Sequence, residues 1–120
     1  MKFTFDNTSP IYIQLVEQMK MHIVSGRLTS GERLPSVREL ALLTKMNPNT
    51  VQKALSELEG LGLIFTERTN GKFVTEDTEL IADLRKDHAR SLSEKYLTSM
   101  KNLGFTETEI IDYLAKEVNK

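Results

Sequence analysis

The chain has 120 residues, 39% of them hydrophobic and 28% charged. That is about one domain: too short for a doubly wound sheet or an α/β barrel of roughly 200 residues or more, and too apolar for wholesale disorder. The 16 basic and 17 acidic residues leave a net charge of −1, and the absence of cysteine excludes disulfides, thiol chemistry and cysteine-ligated zinc or iron–sulfur centres.

The opening, MKFTFDNTSP, holds no apolar stretch of signal-peptide length. No run of ~18 apolar residues follows, so a soluble cytoplasmic chain without a membrane-spanning helix is expected. Ser9-Pro10 reads as a helix start, with serine as cap and proline at the first helical position. Ile11, Leu15, Met19 and Ile23 then recur every four residues, with Tyr12 and Val16 beside them, as one buried face. Gly26 ends the helix, and RLTSGERLP (27–35) reads as a loop.

Ser36 with Glu39 is a capping box for a short helix holding Val37, Leu40, Ala41 and Leu43. After the turn TKMN (44–47), Asn47-Pro48 opens a third helix. Its inner face is Val51, Ala54, Leu55 and Leu58, and its outer face Asn49, Gln52, Lys53 and Ser56. The period then switches. LIFTE (63–67) and KFVT (72–75) flank Thr69-Asn70-Gly71, and Asn-Gly signals a hairpin because both residues accept positive φ. Beyond, Leu80, Leu84, His88, Leu92, Tyr96 and Met100 form an i+4 stripe up to Gly104. Thr106 and Glu109 cap a final helix with Ile110, Ile111, Leu114 and Val118. The expected fold is mainly α: residues 1–75 form a three-helix domain with a β-hairpin wing, and residues 76–120 a two-helix tail.

Charge divides along the same line. Residues 1–75 carry 9 Lys/Arg and 7 Asp/Glu, and residues 76–120 carry 7 and 10. Such asymmetry points weakly to a nucleic-acid-facing first part.

A capped short helix, a four-residue turn, a helix with a polar outer face and an immediate hairpin describe a winged helix-turn-helix. In that arrangement the second of the two helices enters the major groove. Asn49 and Gln52 suit adenine edges or phosphate, and Thr50 suits phosphate or a thymine methyl. Lys53 and Arg38 supply charge, Arg68 and Lys72 flank the wing tip, and the helix start at Asn47–Thr50 favours a phosphate. Taken singly, each has a plainer role. Ser36 and Asn47 are caps in any event, and Asn49, Gln52 and Lys53 alone would be an ordinary solvated face.

The segments RLPSVRELA (33–41), NPNTVQKAL (47–55), ELEGLGLI (57–64) and GKFV (71–74) resemble the DNA-binding domain of the GntR family of bacterial transcription regulators. NPNTVQKA and the short helical tail look like its YtrA subfamily. The resemblance implies sequence-specific binding to double-stranded operator DNA by a homodimeric repressor of an operon, often with ABC transporter genes. It places DNA contacts at Ser36, Arg38, Asn47, Pro48, Asn49, Thr50, Gln52 and Gly71, with Lys53 where relatives carry Arg or Lys. The wing departs from the family's R-G-K-G-T, reading Arg68-Thr69-Asn70-Gly71-Lys72, which displaces the basic residue of the tip.

The tail's stripe is longer than so small a domain can cover, and a two-fold copy is the commonest partner. Leu80, Leu84, His88, Leu92, Tyr96, Ile111 and Leu114 are the expected dimer face. No enzyme, metal or cofactor signal is present. His22 and His88 are far apart in sequence and no carboxylate spacing resembles a metal site. Gly60-Leu61-Gly62 follows a helix instead of preceding one. The rival reading is a winged-helix module that binds protein; salt-sensitive DNA binding separates the two. The regulated genes and any small-molecule effector are not readable from the residues.

Overall fold

Side-chain caps open four of the five helices. In the computed structural model, which describes residues 1–120, the order is α1 (Ile11–Val24), α2 (Val37–Thr44), α3 (Pro48–Gly60), β1 (Ile64–Glu67), β2 (Gly71–Val74), α4 (Thr78–Asn102) and α5 (Glu107–Val118). Ser36 caps α2 and Thr106 caps α5 through reciprocal bonds with Glu39 and Glu109, and Asn47 caps α3 ahead of Pro48. The cap of α4 is Asp77, which accepts from Leu80 N–H at 3.1 Å. Each satisfies N–H groups that the helix itself leaves unpaired. The architecture is mainly α: a winged helix-turn-helix followed by two helices.

The start of α1 differs from the expected serine cap. Pro10 occupies the cap position and no side chain caps it. Gln14 folds back instead, donating to the Ser9 and Asp6 carbonyls at 2.8 and 2.9 Å and accepting from Asp6 N–H at 3.0 Å. Gln18, one turn on, accepts from Thr4 N–H at 2.9 Å and donates to its carbonyl. Two amides on one helix face thus act as a strand edge for residues 4–6, and Phe3 and Phe5 pack against the core.

That core joins Leu15, Met19 and Ile23 of α1 to Leu40 of α2, Val51, Ala54, Leu55 and Leu58 of α3, and Leu63, Ile64 and Val74 at the hairpin. Burying one such leucine is worth about 1.5–3 kcal/mol in transfer free energy. Two expected core residues lie outside it. Ile11 is 48% exposed in the first turn of α1, and Leu43 is 53% exposed because Leu40 and Ala41 take the inner face of the short α2. Lys45, with φ 57°, then turns the chain out of the helix.

The hairpin pairs Ile64 with Val74, Phe65 with Phe73, Thr66 with Lys72 and Glu67 with Gly71. Its connection is the three residues Arg68-Thr69-Asn70, and only Gly71 takes positive φ, at +97°. The hairpin stands where Asn-Gly signalled it, but of those two residues only the glycine takes the left-handed conformation.

The segment 27–35, expected as a plain loop, adds a third strand-like edge. Gly31 N–H donates to the Val74 carbonyl at 3.1 Å, Val74 N–H to Glu32 at 2.8 Å and Leu34 N–H to Lys72 at 2.8 Å. Arg33 forms an isolated antiparallel bridge with Phe73.

The chain forms two compact units, Met1–Leu84 and Arg85–Lys120, with the division inside α4. The first unit thus runs past residue 75, where the sequence suggested a boundary, because Leu80, Ile81 and Leu84 pack on the winged-helix core. In the second unit Ile110 is buried, Phe105 meets Tyr113 with ring centroids 5.9 Å apart, and Lys101 pairs with Glu107 at 3.1 Å. No helix is long and apolar enough to cross a membrane.

Candidate nucleic-acid interface

Burial fixes the rotation of α3. Val51, Ala54, Leu55 and Leu58 are all buried, so Asn49, Gln52, Lys53 and Ser56 are held outward. The Asn47 side-chain oxygen accepts from Asn49 N–H at 2.8 Å, which spends that oxygen on the cap and leaves the amide NH2 to donate elsewhere. Pro48 is exposed and Thr50 half-buried in the first turn. Gln52 donates to Ser56 Oγ at 3.3 Å, a long bond that a better acceptor displaces. Lys53 stands 3.9 Å over the Tyr12 ring, a cation–π contact that ties α3 to α1.

Ser36 Oγ accepts from Glu39 N–H at 3.1 Å, and the Glu39 carboxylate accepts from Ser36 N–H at 3.2 Å. The serine hydroxyl proton remains free to donate. Arg38, in the first turn of α2, is exposed and enters no ion pair.

The wing residues separate into two groups. Arg68 and Gly71 are exposed, and Asn70 donates to Glu67 at 3.0 Å within the turn. Lys72 is placed differently from the expected tip contact. Its ammonium donates to Thr66 Oγ1 at 2.8 Å and pairs with Glu59 at 3.4 Å, with the side chain only 18% exposed. The Thr66 hydroxyl holds the Glu59 carboxyl below its ordinary pKa against the opposing effect of burial, with the Lys72 ammonium adding to the lowering. Lys72 therefore braces β2 to the end of α3. The sequence could not show this, because the three residues meet only once the hairpin folds back.

One basic residue of this region was missed. Arg33 lines the cleft between the start of α2 and the wing turn, together with Ser36, Arg68, Thr69 and Gly71. Its position just before the Leu-Pro-Ser run carried the only available signal.

The expected dimer face is also divided. Leu80 and Leu84 are half-buried against the core of the first unit. In the second unit His88 is half-buried, while Leu92, Tyr96, Ile111 and Leu114 line one apolar groove with Leu97 and Ile110. Leu92 is 62% and Ile111 68% exposed.

The helix-turn-helix with its wing defines a class of nucleic-acid-binding fold, and comparison with known proteins narrows it. Residues 11–74 match the model of bacterial regulatory proteins of the gntR family. The chain is 40% identical over 108 residues to the uncharacterized HTH-type transcriptional regulator YhcF of Bacillus subtilis, covering 90% of this chain and 89% of that one. It is 45% identical over 73 residues to the HTH-type transcriptional repressor YtrA of the same organism, covering 61% and 56%. A GntR family transcriptional regulator from Listeria monocytogenes has a similar structure, with a TM-score of 0.83 and 41% identity over 93% of this chain and 98% of that one. The chain belongs to the gntR family of bacterial regulatory proteins.

Proposed function

We propose that this chain is a homodimeric transcription repressor that binds operator DNA through α3 and the wing. The observation that carries this is the fixed rotation of α3, which presents two amide side chains with an arginine-bearing turn and hairpin around them. Asn49 and Gln52 read base edges in the major groove. Ser36, Arg38, Asn47, Pro48, Thr50 and Lys53 meet the backbone, and Arg68, Asn70 and Gly71 approach it from the wing. The names of the relatives, regulators and a repressor of the helix-turn-helix type, support the same reading.

The tail groove supplies the second copy. A two-fold pair of α3 helices meets half-sites about 34 Å apart. The regulated operon is expected to carry ABC transporter genes, following the likeness to YtrA. Selection of bound duplexes from a randomised pool tests the reading. It is expected to enrich an inverted repeat whose half-sites are about 10 bp apart, centre to centre, or a multiple of that. Recovery of no common sequence, alongside capture of a protein partner, would favour the protein-binding module instead.

A further inference from the structure

Arg33 lies just before α2, in the segment paired to the outer edge of β2. Hydrogen bonds on either side, from Leu34 N–H to the Lys72 carbonyl and from Val74 N–H to the Glu32 carbonyl, are both 2.8 Å. They pin Arg33 opposite Phe73. From there its side chain reaches Gly71, two residues nearer the turn. Nε and Nη2 each stand 3.6 Å from the point that a Cβ on Gly71 would occupy. The guanidinium thus covers the side of Gly71 on which a side chain would project, and the glycine is where φ is +97°.

The acids nearby are engaged with other groups. Glu32 accepts from the Thr29 N–H and hydroxyl at 3.0 and 3.1 Å. Glu39 is held by Ser36, and Glu67 by Asn70. No ion pair includes Arg33 or Arg68, yet both line the one cleft beside the wing turn. Against these two arginines and Lys72 the cleft lining carries one carboxylate, Glu67, so positive charge is in excess there and an anion is attracted. The guanidinium fork suits a phosphate, which accepts two parallel N–H bonds.

We propose that Arg33 is a phosphate-binding residue of this protein, holding a DNA backbone phosphate in the cleft together with Arg68, from its place beside Gly71 and the wing turn. The inference rests on the DNA-binding reading above and adds to it a residue outside the two helices and the hairpin.

The test compares the full chain with its Arg33→Gln and Arg33→Lys variants on a mixed-sequence duplex of about 30 bp, measuring affinity against salt. Arg33→Gln is expected to weaken binding about tenfold and to shallow the log–log salt slope by about 0.9 for each bound protomer. Arg33→Lys is expected to restore the slope and only part of the affinity, because charge returns without the fork. The slope is unaffected by a constant fraction of unfolded protein, so a lowered melting temperature does not blur the result. A wild-type slope in Arg33→Gln, or a slope that Arg33→Lys fails to restore, overturns the proposal and leaves the DNA-binding reading standing. Absence of duplex binding by the wild-type chain overturns both.

Discussion

Ile111→Asp is expected to convert the protein from a dimer of about twice 13.7 kDa to a monomer of 13.7 kDa in light scattering. Ile111 is 68% exposed within its own protomer, so the carboxylate stays hydrated there and the fold of α4 and α5 is retained. In a dimer built on the tail groove the same carboxylate would be buried among Leu92, Tyr96 and Leu114 of the apolar lining. Burial of an unpaired charge is among the most costly changes an interface can suffer. The effect on DNA binding is larger still. Once one α3 is docked, the second docks as an intramolecular event, which raises avidity on the order of 10²–10⁴-fold. Loss of the dimer removes that factor at two-fold symmetric sites and leaves binding to single half-sites nearly unchanged. A wild-type monomer at micromolar concentration, or an Ile111→Asp dimer, would show that the groove is not the interface.

The second large effect concerns specificity. Asn49→Ala and Gln52→Ala are each expected to cost about 1–3 kcal/mol on duplex enriched by selection and little on random duplex. Both side chains are exposed and neither supports the core, so melting temperatures stay within about 1–2 °C, the shift expected of a few tenths of a kcal/mol at a surface site. Arg38→Ala, from the helix that crosses the backbone, weakens both duplexes alike and shallows the salt slope by about one for each protomer. Equal losses on both duplexes for Asn49→Ala and Gln52→Ala would remove them from base readout.

Much of the fold was legible because its signals are local. The Ser36–Glu39 and Thr106–Glu109 boxes and the Asn47-Pro48 start each lie within four residues, and all three open helices where the spacing put them. The inner face of α3 was legible because a 3.6-residue period names the buried set directly. What escaped depends on residues far apart in the chain. The third edge of the wing is made by Glu32–Leu34 pairing with residues some 40 positions on, and RLTSGERLP has no alternation and only one β-branched residue, Thr29, to announce it. Gln14 and Gln18 read as ordinary helical amides until residues 4–6 lie beside them.

The candidate site shows the same division. Its outward α3 residues follow from periodicity, whereas the inward turn of Lys72 follows from Glu59, thirteen residues away on another element. In the tail, an apolar stripe interrupted only by His88 does not reveal where one core ends and the next begins. Leu80 and Leu84 serve the winged-helix core, and Leu92 and Tyr96 serve the groove.

Glu59 adds a pH dependence of known sign. Its carboxyl is held below the ordinary value by Thr66 and Lys72, so the stabilisation is full above the unfolded value of 4.5 and disappears as pH falls through the lower folded value. Loosening of β2 below that range is a local effect.

The most direct measurement is the affinity of the wild-type chain for double-stranded DNA as salt is raised. The chain carries a net charge of −1, so any attraction to DNA must come from cations that α2, α3 and the wing gather locally. With roughly 6–10 phosphates contacted per dimer, affinity is predicted to fall on the order of 10³-fold or more between about 50 and 200 mM salt. A response that stays flat over that range, or no binding at its low end, would contradict the account.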